Sequence, residues 1–228
     1  MPVRKKPRND ENGRDPWHHE RALYGAGYAR VAGVDEAGRG PLAGPVVAAA
    51  VILPPYRRFS AIRDSKLVPA AERETLYRQI RKHALAIGIA ACPARVIDRV
   101  NLLEATRLAM ARAVARLKPP PDAVLVDGWR LPALQVDQWP IVDGDRDSVS
   151  IAAASLVAKV IRDAIMRRLE RLYPGYGFAN HKGYGTREHL ACIARLGVTP
   201  AHRCSFEPVR QALQGKLDLA PEVSGEEN

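Results

Sequence analysis

The chain has 228 residues, 46% of them hydrophobic, so it can bury one substantial core but has little room for two full domains. Its 35 lysines and arginines outnumber its 25 acidic residues, and the resulting charge of +10 favours a polyanionic partner such as nucleic acid. No apolar run approaches the ~20 residues of a membrane span, and no secretory signal opens the chain. These features argue against a membrane protein, and we expect a cytoplasmic one that is monomeric by default.

Both ends of the chain are expected to lie outside the folded domain. Residues 1–27 begin polar and basic and have no regularly spaced apolar positions, which predicts a disordered basic arm. Residues 214–228 turn acidic and predict a flexible tail. The folded domain is therefore predicted to span residues 28–213.

Strand-like and helix-like segments alternate between these ends. Apolar, partly β-branched runs predict strands at 28–34, 46–53, 84–91 and 123–126, and apolar residues spaced among charges predict helices at 69–85, 94–117 and 151–173. The prolines at 119–121 cannot continue a helix and end the second of these. This mixed order predicts an α/β or α+β domain around a central sheet.

Four acidic residues lie where predicted elements end or begin. Asp35 and Glu36 end the first strand, Asp127 ends the strand at 123–126, and Asp145 comes just before the last helix. Neighbouring strands could bring the first three to one edge of the sheet, where they would repel one another unless a hard divalent cation held them. Two Mg²⁺ or Mn²⁺ ions ~4 Å apart would activate water and stabilise the leaving oxygen of a phosphodiester.

Each acid also has a purely structural interpretation. Asp127 precedes a glycine in an ordinary turn sequence, and Asp145 could cap the helix that follows it. Asp35 and Glu36 are harder to explain in this way, because two charges directly after a buried strand are costly unless something pairs them. The loop after them, Gly38-Arg39-Gly40, lets the backbone approach a ligand beside the carboxylates.

Seven segments, in order along roughly residues 28–211, carry a resemblance to a known family. They are VAGVDEAGRGPLAGPVV (31–47), DSK (64–66), NLLEAT (101–106), VDG (126–128), GD (144–145), AAASLVAK (152–159) and YGFANHKGY (176–184). Together they closely resemble bacterial ribonuclease HII, and the first is highly specific to ribonucleases HII and HIII. The resemblance implies an RNase H-like α/β fold with a central mixed sheet flanked by helices and a small helical C-terminal part.

The resemblance also implies an activity. It implies a metal-dependent endoribonuclease that degrades the RNA strand of RNA–DNA hybrids and incises 5′ to single ribonucleotides embedded in duplex DNA. The implied mechanism uses two divalent ions, Mn²⁺ or Mg²⁺, and leaves 5′-phosphate and 3′-hydroxyl ends. RNA–DNA hybrids and ribonucleotide-containing duplexes are thus the expected partners, with no membrane.

Matching positions imply roles for individual residues. Asp35, Glu36 and Asp127 fall on the family's metal ligands, and Asp145 falls on its fourth catalytic acid, with Asp147 as the alternative. Further matches imply substrate contacts. Gly38, Arg39 and Gly40 fall on the loop that reads the ribose at an RNA–DNA junction, and Tyr184 falls on a tyrosine that packs against the following sugar. The basic side chains of Arg39 and Lys66 are expected to contact phosphates, although each alone would be an ordinary surface charge. Without the resemblance, a core tyrosine is the better interpretation of Tyr184.

One departure and three alternatives accompany the resemblance. The family's usual Asp-Ser-Lys-Lys-Leu is DSKLV at 64–68 here, one basic residue short. Ribonuclease HIII has an extra N-terminal domain, for which about thirty polar residues before the first strand leave no room. A second alternative is a nucleic-acid-binding protein without catalysis. The intact acids at all four motif positions argue against it, because acids repel phosphate in the absence of metal. A resolvase of related fold would prefer DNA junctions.

Overall fold

The structure is a computed structural model that describes residues 15–55 and 69–216. A five-stranded sheet runs through it, in the order β3-β2-β1-β4-β5. Its strands are β1 (Val31–Ala37), β2 (Val46–Ile52), β3 (Ala86–Cys92), β4 (Ala123–Asp127) and β5 (Asp137–Ile141). The pairs β1–β2 and β2–β3 are antiparallel, whereas β1–β4 and β4–β5 are parallel. The sheet is therefore mixed, as expected.

Helices cover both faces of this sheet. They are α1 (His18–Gly25), α2 (Ala70–His83), α3 (Ala94–Val100), α4 (Leu102–Ala115), α5 (Gly144–Asp147), α6 (Val149–Leu172), α7 (Phe178–His181), α8 (Arg187–Leu196) and α9 (Glu207–Leu213). Side chains alternate along β1, so Ala32 and Val34 pack in the core under α3 and α4, and Val31 packs against Ile151 of α6 on the other face. The sheet flanked by helices confirms the predicted fold class.

Gly33 sets how closely α6 approaches β1. A Cβ at this position would overlap the backbone of Ser150 and Ile151 at the start of α6. Because Gly33 and Asp35 lie on the same face of β1, this close contact brings the next turns of α6 alongside Asp35. The position of α6 over the sheet thus depends on the absence of a side chain at Gly33.

The helical C-terminal part packs against the loop between β1 and β2, residues 38–45, called here the β1–β2 loop. The Leu42 N–H donates to the Gly183 carbonyl at 2.8 Å, and the Gly44 N–H donates to the Ala201 carbonyl at 2.8 Å. Ala43 also forms an isolated β-bridge with His202. Residues far apart in sequence therefore fix the conformation of this loop.

The predicted N-terminal arm is wrong for residues 15–27, which contain α1. Trp17 and Leu23 are buried at 4% and 7% exposure, so this polar segment contributes two anchors to the core. Residues 1–14 of the arm and 217–228 of the tail lie outside the described residues. The remaining domain boundaries stay predictions.

Two element predictions also differ from the structure. The single helix expected at 94–117 is divided into α3 and α4 at Asn101, which has a positive φ of 71° and whose side chain accepts from the Glu104 N–H at 3.0 Å. Strand β5 was not predicted, because it is a largely exposed edge strand that contains a proline. Across residues 15–55 and 69–216, no helix is long and apolar enough to cross a membrane.

Candidate active site

Three carboxylates meet where the parallel strands β1 and β4 end. Val34 and Val126 are the last pair in the register of these strands, so Asp35 and Asp127 follow at the same edge of the sheet. Glu36 is the next residue of β1, and ligand oxygens of the three side chains lie within 4.8 Å of one another. The adjacency expected from the sequence is present in the fold, and the role of these residues as metal ligands stays a prediction.

Asp35 is buried, at 5% exposure, and is held by two donors. Its Oδ1 accepts the Glu36 N–H at 2.6 Å, and its carboxylate also accepts a hydrogen bond from the Ser155 hydroxyl of α6. Burial raises the pKa of the Asp35 carboxyl well above its ordinary value, and the charges of Glu36 and Asp127 raise it further. The site thus confines negative charge that a cation would neutralise.

The two carboxylate oxygens of Glu36 have different surroundings. Its Oε1 lies 3.5 Å from Arg39 Nη1, whereas Oε2 is buried and has no hydrogen-bond partner within the described ranges. Burial raises the pKa of Glu36, with the Arg39 charge opposing and Asp127 adding to the shift. Arg39 is held in place by Trp129, whose ring centroid lies 4.7 Å from the guanidinium carbon.

Asp145 lies in the same region, on α5. The Gly144 N–H donates to Asp127 Oδ1 at 2.8 Å, which ties the start of α5 to the end of β4. Asp145 is 8% exposed and faces the cleft, whereas Asp147 lies in the electrostatic environment of His19 and does not line the cleft. Of these two residues only Asp145 lines the cleft, and its role as the fourth acid stays a prediction. Its oxygens are not part of the three-carboxylate cluster.

A cavity of about 280 Å³ opens over these acids, and we call it the carboxylate cleft. Its lining comprises Asp35, Glu36, Ala37, Gly38, Arg39, Gly40, Asp127, Asp143, Asp145, Ser155, Lys159, Arg162 and Tyr184. The four predicted acids therefore share one cleft with the predicted ribose-reading loop and the predicted sugar-packing tyrosine. Lys66, together with the rest of the DSK segment at 64–66, lies outside the described residues.

Tyr184 is 48% exposed at this cleft, so it is not a core tyrosine. Its ring lies beside the β1–β2 loop, since a Cβ at Gly40 would be 3.5 Å from Tyr184 Cε1. A flat aromatic face and a glycine backbone therefore form one continuous surface.

Two buried histidines, His189 and His202, support the backbone of Tyr184 through hydrogen bonds. The Thr199 N–H donates to His202 Nδ1 at 2.9 Å, so a neutral His202 carries its proton on Nε2. His202 Nε2 lies 3.1 Å from His189 Nε2, and His189 Nδ1 lies 2.9 Å from the Tyr184 carbonyl. Donation thus runs in one direction, from Thr199 to Tyr184, and burial lowers the pKa of both histidines to about 4.

Sequence reasoning assigned no role to several residues of the cleft. Ser155 and Lys159 lie inside the matching segment 152–159, which was a signal that this part of α6 approaches the acids. Trp129 and Arg162 gave no comparable signal, because their contacts with the loop depend on packing between distant elements. Lys159 also forms an ion pair with Asp163, one turn further along α6, at 2.6 Å.

Comparison with known families gives one match over most of the chain. The family model described as Ribonuclease HII matches residues 32–209. A ribonuclease HII of Geobacillus thermodenitrificans (strain NG80-2) is 53% identical over 213 residues, which are 92% of this chain and 82% of the relative. A ribonuclease HII of Geobacillus kaustophilus (strain HTA426) is 54% identical over 201 residues, covering 88% and 77%.

Solved structures are similar in fold. Ribonuclease H2 from Pyrococcus horikoshii OT3 has a TM-score of 0.70 at 24% identity, covering 82% of this chain and 99% of that one. Bst-RNase HIII in complex with Mn²⁺ has a TM-score of 0.64 at 21% identity, covering 86% and 72%. At these identities the likeness concerns the fold alone.

Proposed function

The chain belongs to the ribonuclease HII family of metal-dependent hydrolases acting on RNA in RNA–DNA hybrids, and we propose that it cuts this RNA in the carboxylate cleft. The observation that carries the proposal is the meeting of Asp35, Glu36 and Asp127, whose oxygens lie within 4.8 Å of one another. Clustered acids repel a phosphate backbone unless a cation lies between them. The cluster therefore supports metal-dependent hydrolysis over passive binding.

The donor chemistry of the cluster fits a hard divalent cation. All its ligand atoms are carboxylate oxygens, and the buried Glu36 Oε2 has no hydrogen-bond partner in the described parts of the chain. We assign two Mg²⁺ or Mn²⁺ ions to Asp35, Glu36 and Asp127, with Asp145 as the fourth acid. When bound, such ions supply an activated water and stabilise the departing 3′-oxygen, which leaves 5′-phosphate and 3′-hydroxyl ends.

The chain's own residues hold these carboxylates in position before substrate arrives. The Glu36 N–H and the Ser155 hydroxyl fix the Asp35 carboxylate, and the Gly144 N–H fixes that of Asp127. Ligands held by such outer hydrogen bonds need little rearrangement on binding, which favours both affinity and rate.

Selection of a ribonucleotide is proposed to come from the other wall of the cleft. A 2′-hydroxyl is recognised by donors and acceptors at close range, which the backbone of Gly38–Gly40 and the Arg39 side chain can provide. The half-exposed ring of Tyr184 beside Gly40 suits contact with the next, deoxy sugar. This arrangement supports incision 5′ to a single ribonucleotide within duplex DNA, as well as cleavage of longer hybrids. A monomeric state and a cytoplasmic location stay predictions.

The test is cleavage of a labelled DNA duplex carrying one ribonucleotide, with an all-DNA duplex beside it, in Mg²⁺, Mn²⁺ or EDTA. We expect a metal-dependent cut immediately 5′ to the ribonucleotide and no cut in the all-DNA duplex. Asp35→Asn removes one ligand charge and should slow cleavage roughly 10³-fold, equivalent to about 4 kcal/mol of transition-state stabilisation, while sparing duplex affinity.

Asp137→Asn is the matched control. It makes the same chemical change at the opposite end of the parallel strands, where Asp137 pairs with Ala123 and accepts from the Tyr28 hydroxyl. Tight binding without cleavage in either metal would favour a binding protein, and cleavage confined to long hybrids would overturn the ribonucleotide-reading role of the loop. Near-normal turnover in the Asp35→Asn variant would remove the cluster from the mechanism.

A further inference from the structure

Two buried arginines lie directly behind the β1–β2 loop. Arg162, on α6, is 1% exposed, and Arg203, between α8 and α9, is fully buried. No ion pair joins either guanidinium to a carboxylate of a described residue. Burying a charge without an opposite charge is expensive unless its hydrogen-bonding groups are satisfied, so the partners of these two groups are informative.

Arg203 binds three carbonyl groups of the loop. Its Nη2 donates to the Gly38 carbonyl at 2.5 Å and to the Gly44 carbonyl at 3.0 Å, and its Nη1 donates to the Arg39 carbonyl at 2.6 Å. Its Nε also donates to the Gly44 carbonyl, at 3.1 Å. One side chain therefore joins the start of the loop to its end.

Arg162 binds the far end of the same loop. Its Nε donates to the Pro45 carbonyl at 3.1 Å, and its Nη2 donates to the carbonyls of Ala43, at 3.2 Å, and Lys182, at 3.0 Å. It also packs under Gly38, where φ is +94° and a Cβ would overlap the guanidinium. A glycine at this position is thus required by both the backbone conformation and the arginine behind it.

Because the peptide group is planar, the direction of each bonded carbonyl also fixes the direction of the N–H group of the next residue. In a planar trans peptide, the C=O of one residue and the N–H of the next point in opposite directions. Because the carbonyls of Gly38 and Arg39 point inward to Arg203, the N–H groups of Arg39 and Gly40 point outward. Gly38, Arg39 and Gly40 also line the carboxylate cleft, so we infer that these outward N–H groups face a ligand bound there.

We propose that Arg203, supported by Arg162, is a positioning residue for ribose recognition: it presents the N–H groups of Arg39 and Gly40 to the 2′-hydroxyl side of the substrate. This inference rests on the proposed function. Arg203 itself touches no substrate and acts through the loop. Burial and the neighbouring Arg162 lower the pKa of Arg203 to about 9, so the group keeps its charge at neutral pH.

The test uses Arg203→Lys, which keeps a positive charge but loses the planar fork that spans the carbonyls of Gly38, Arg39 and Gly44. We expect kcat/KM on the single-ribonucleotide duplex to fall roughly 10- to 100-fold, as for a small misplacement of a binding group. In an Asp35→Asn background, where cleavage is expected to be roughly 10³-fold slower, we expect the preference in Kd for the ribonucleotide duplex over all-DNA to fall toward one. The Kd for all-DNA should stay unchanged.

Met110→Ala is the matched control for loss of stability. Met110 is fully buried on α4 and is not a hydrogen-bond partner of Arg203, so its truncation lowers the melting temperature without removing a contact between Arg203 and the loop. Partial unfolding weakens binding to both duplexes equally and therefore leaves the preference intact. An Arg203→Lys protein that melts lower but keeps the preference would overturn the inference.

A measurement on the wild-type loop covers the case in which Arg203→Lys does not fold. In the Asp35→Asn protein, the amide NMR signals of Arg39 and Gly40 should shift more with the ribonucleotide duplex than with all-DNA. Equal shifts would overturn the inference. Failure of the proposed function is distinguishable, because it shows as absence of ribonucleotide-dependent cleavage by the unmodified protein.

Discussion

Asp35 illustrates how one side chain of the cleft depends on several parts of the chain. Its position comes from β1, its donors come from Glu36 and from Ser155 on α6, and its charge interacts with Asp127 on β4. Burial, followed by the charges of Glu36 and Asp127, raises the pKa of its carboxyl, so holding the ionised form here costs free energy. Relief of that cost is a driving force for binding a divalent ion.

The histidine pair predicts a pH dependence of stability. The pKa of His189 and of His202 is about 4 in the folded chain, against an ordinary value of 6.5, so between these values the unfolded chain binds more protons. The free energy of unfolding should therefore fall as pH drops from about 6.5 to about 4, by up to about 1.4 kcal/mol per pH unit for each histidine. Chemical unfolding at a series of pH values in this window measures the slope.

The variant His202→Asn separates this effect from the titration of other groups. It removes one of the two titrating rings, so its curve of unfolding free energy against pH should be less steep than that of the wild type in the same window. Parallel curves for the two proteins would contradict the assignment of this pH dependence to His202.

At the residue scale, the sequence predicted those parts of the site that rest on local pattern. The acids at the ends of β1 and β4 and the glycine-rich loop could be placed because strand ends and loop composition are visible in sequence. The carbonyl contacts of Arg162 and Arg203 could not, since a buried arginine looks like a surface one until the fold brings α6 and the C-terminal part behind the loop. Choosing Asp145 over Asp147 likewise depends on how α5 is oriented.

At the element scale, α1 is fixed to the start of α6 by a buried acid. Glu20 is fully buried, and its Oε1 accepts from the hydroxyls of Ser148 at 2.6 Å and Ser150 at 2.5 Å and from the Ser150 N–H at 3.0 Å. A hydropathy pattern does not show that a buried acid fixes a helix, which is why the sequence predicted a disordered arm here. Glu20, a polar residue, fixes α1 to the start of α6.

Glu20→Ala should therefore destabilise the protein. The change leaves the Ser150 N–H and two hydroxyls without their acceptor, and we expect a loss of about 3 kcal/mol in the free energy of unfolding, measured by urea denaturation. Glu72→Ala, an exposed position on α2, is the control and should change stability by no more than about 0.5 kcal/mol. Equal effects of the two substitutions would mean that α1 contributes little to the fold.

The missed elements share a physical cause. The division between α3 and α4 depends on the positive φ of Asn101, and a continuous apolar periodicity on both sides conceals it. Strand β5 buries little surface, so its pattern carries no strong alternation. The long α6 and the buried strand β2 were predicted well because burial on one or both faces dictates their composition.

At the scale of the whole molecule, the net charge of +10 predicts strongly salt-dependent binding. If the protein neutralises about six phosphates, its affinity for duplex DNA should fall about a thousandfold between roughly 50 and 200 mM salt. The preference for a ribonucleotide duplex over all-DNA should stay constant over this range, because a 2′-hydroxyl contact releases no counterion.

Fluorescence anisotropy with both duplexes, in the slowly cutting Asp35→Asn background, measures the affinity and the preference together. A preference that disappears with added salt would mean that recognition of the ribonucleotide is electrostatic, contrary to a reading by backbone N–H groups. A salt-independent affinity would contradict the role of the net positive charge in binding.

The Arg203 contact with Gly38 spans 165 residues of sequence, and this separation has a consequence for the chain as it is made. The acids of β1 leave the ribosome first, β4 follows about ninety residues later, and Arg203 comes about seventy-five residues after that. At about 5 to 20 residues per second, roughly 10 to 30 seconds separate the first part of the site from the last. By the proposal made for Arg203, a nascent chain thus carries its acidic residues well before the loop that would read the ribose is held in place.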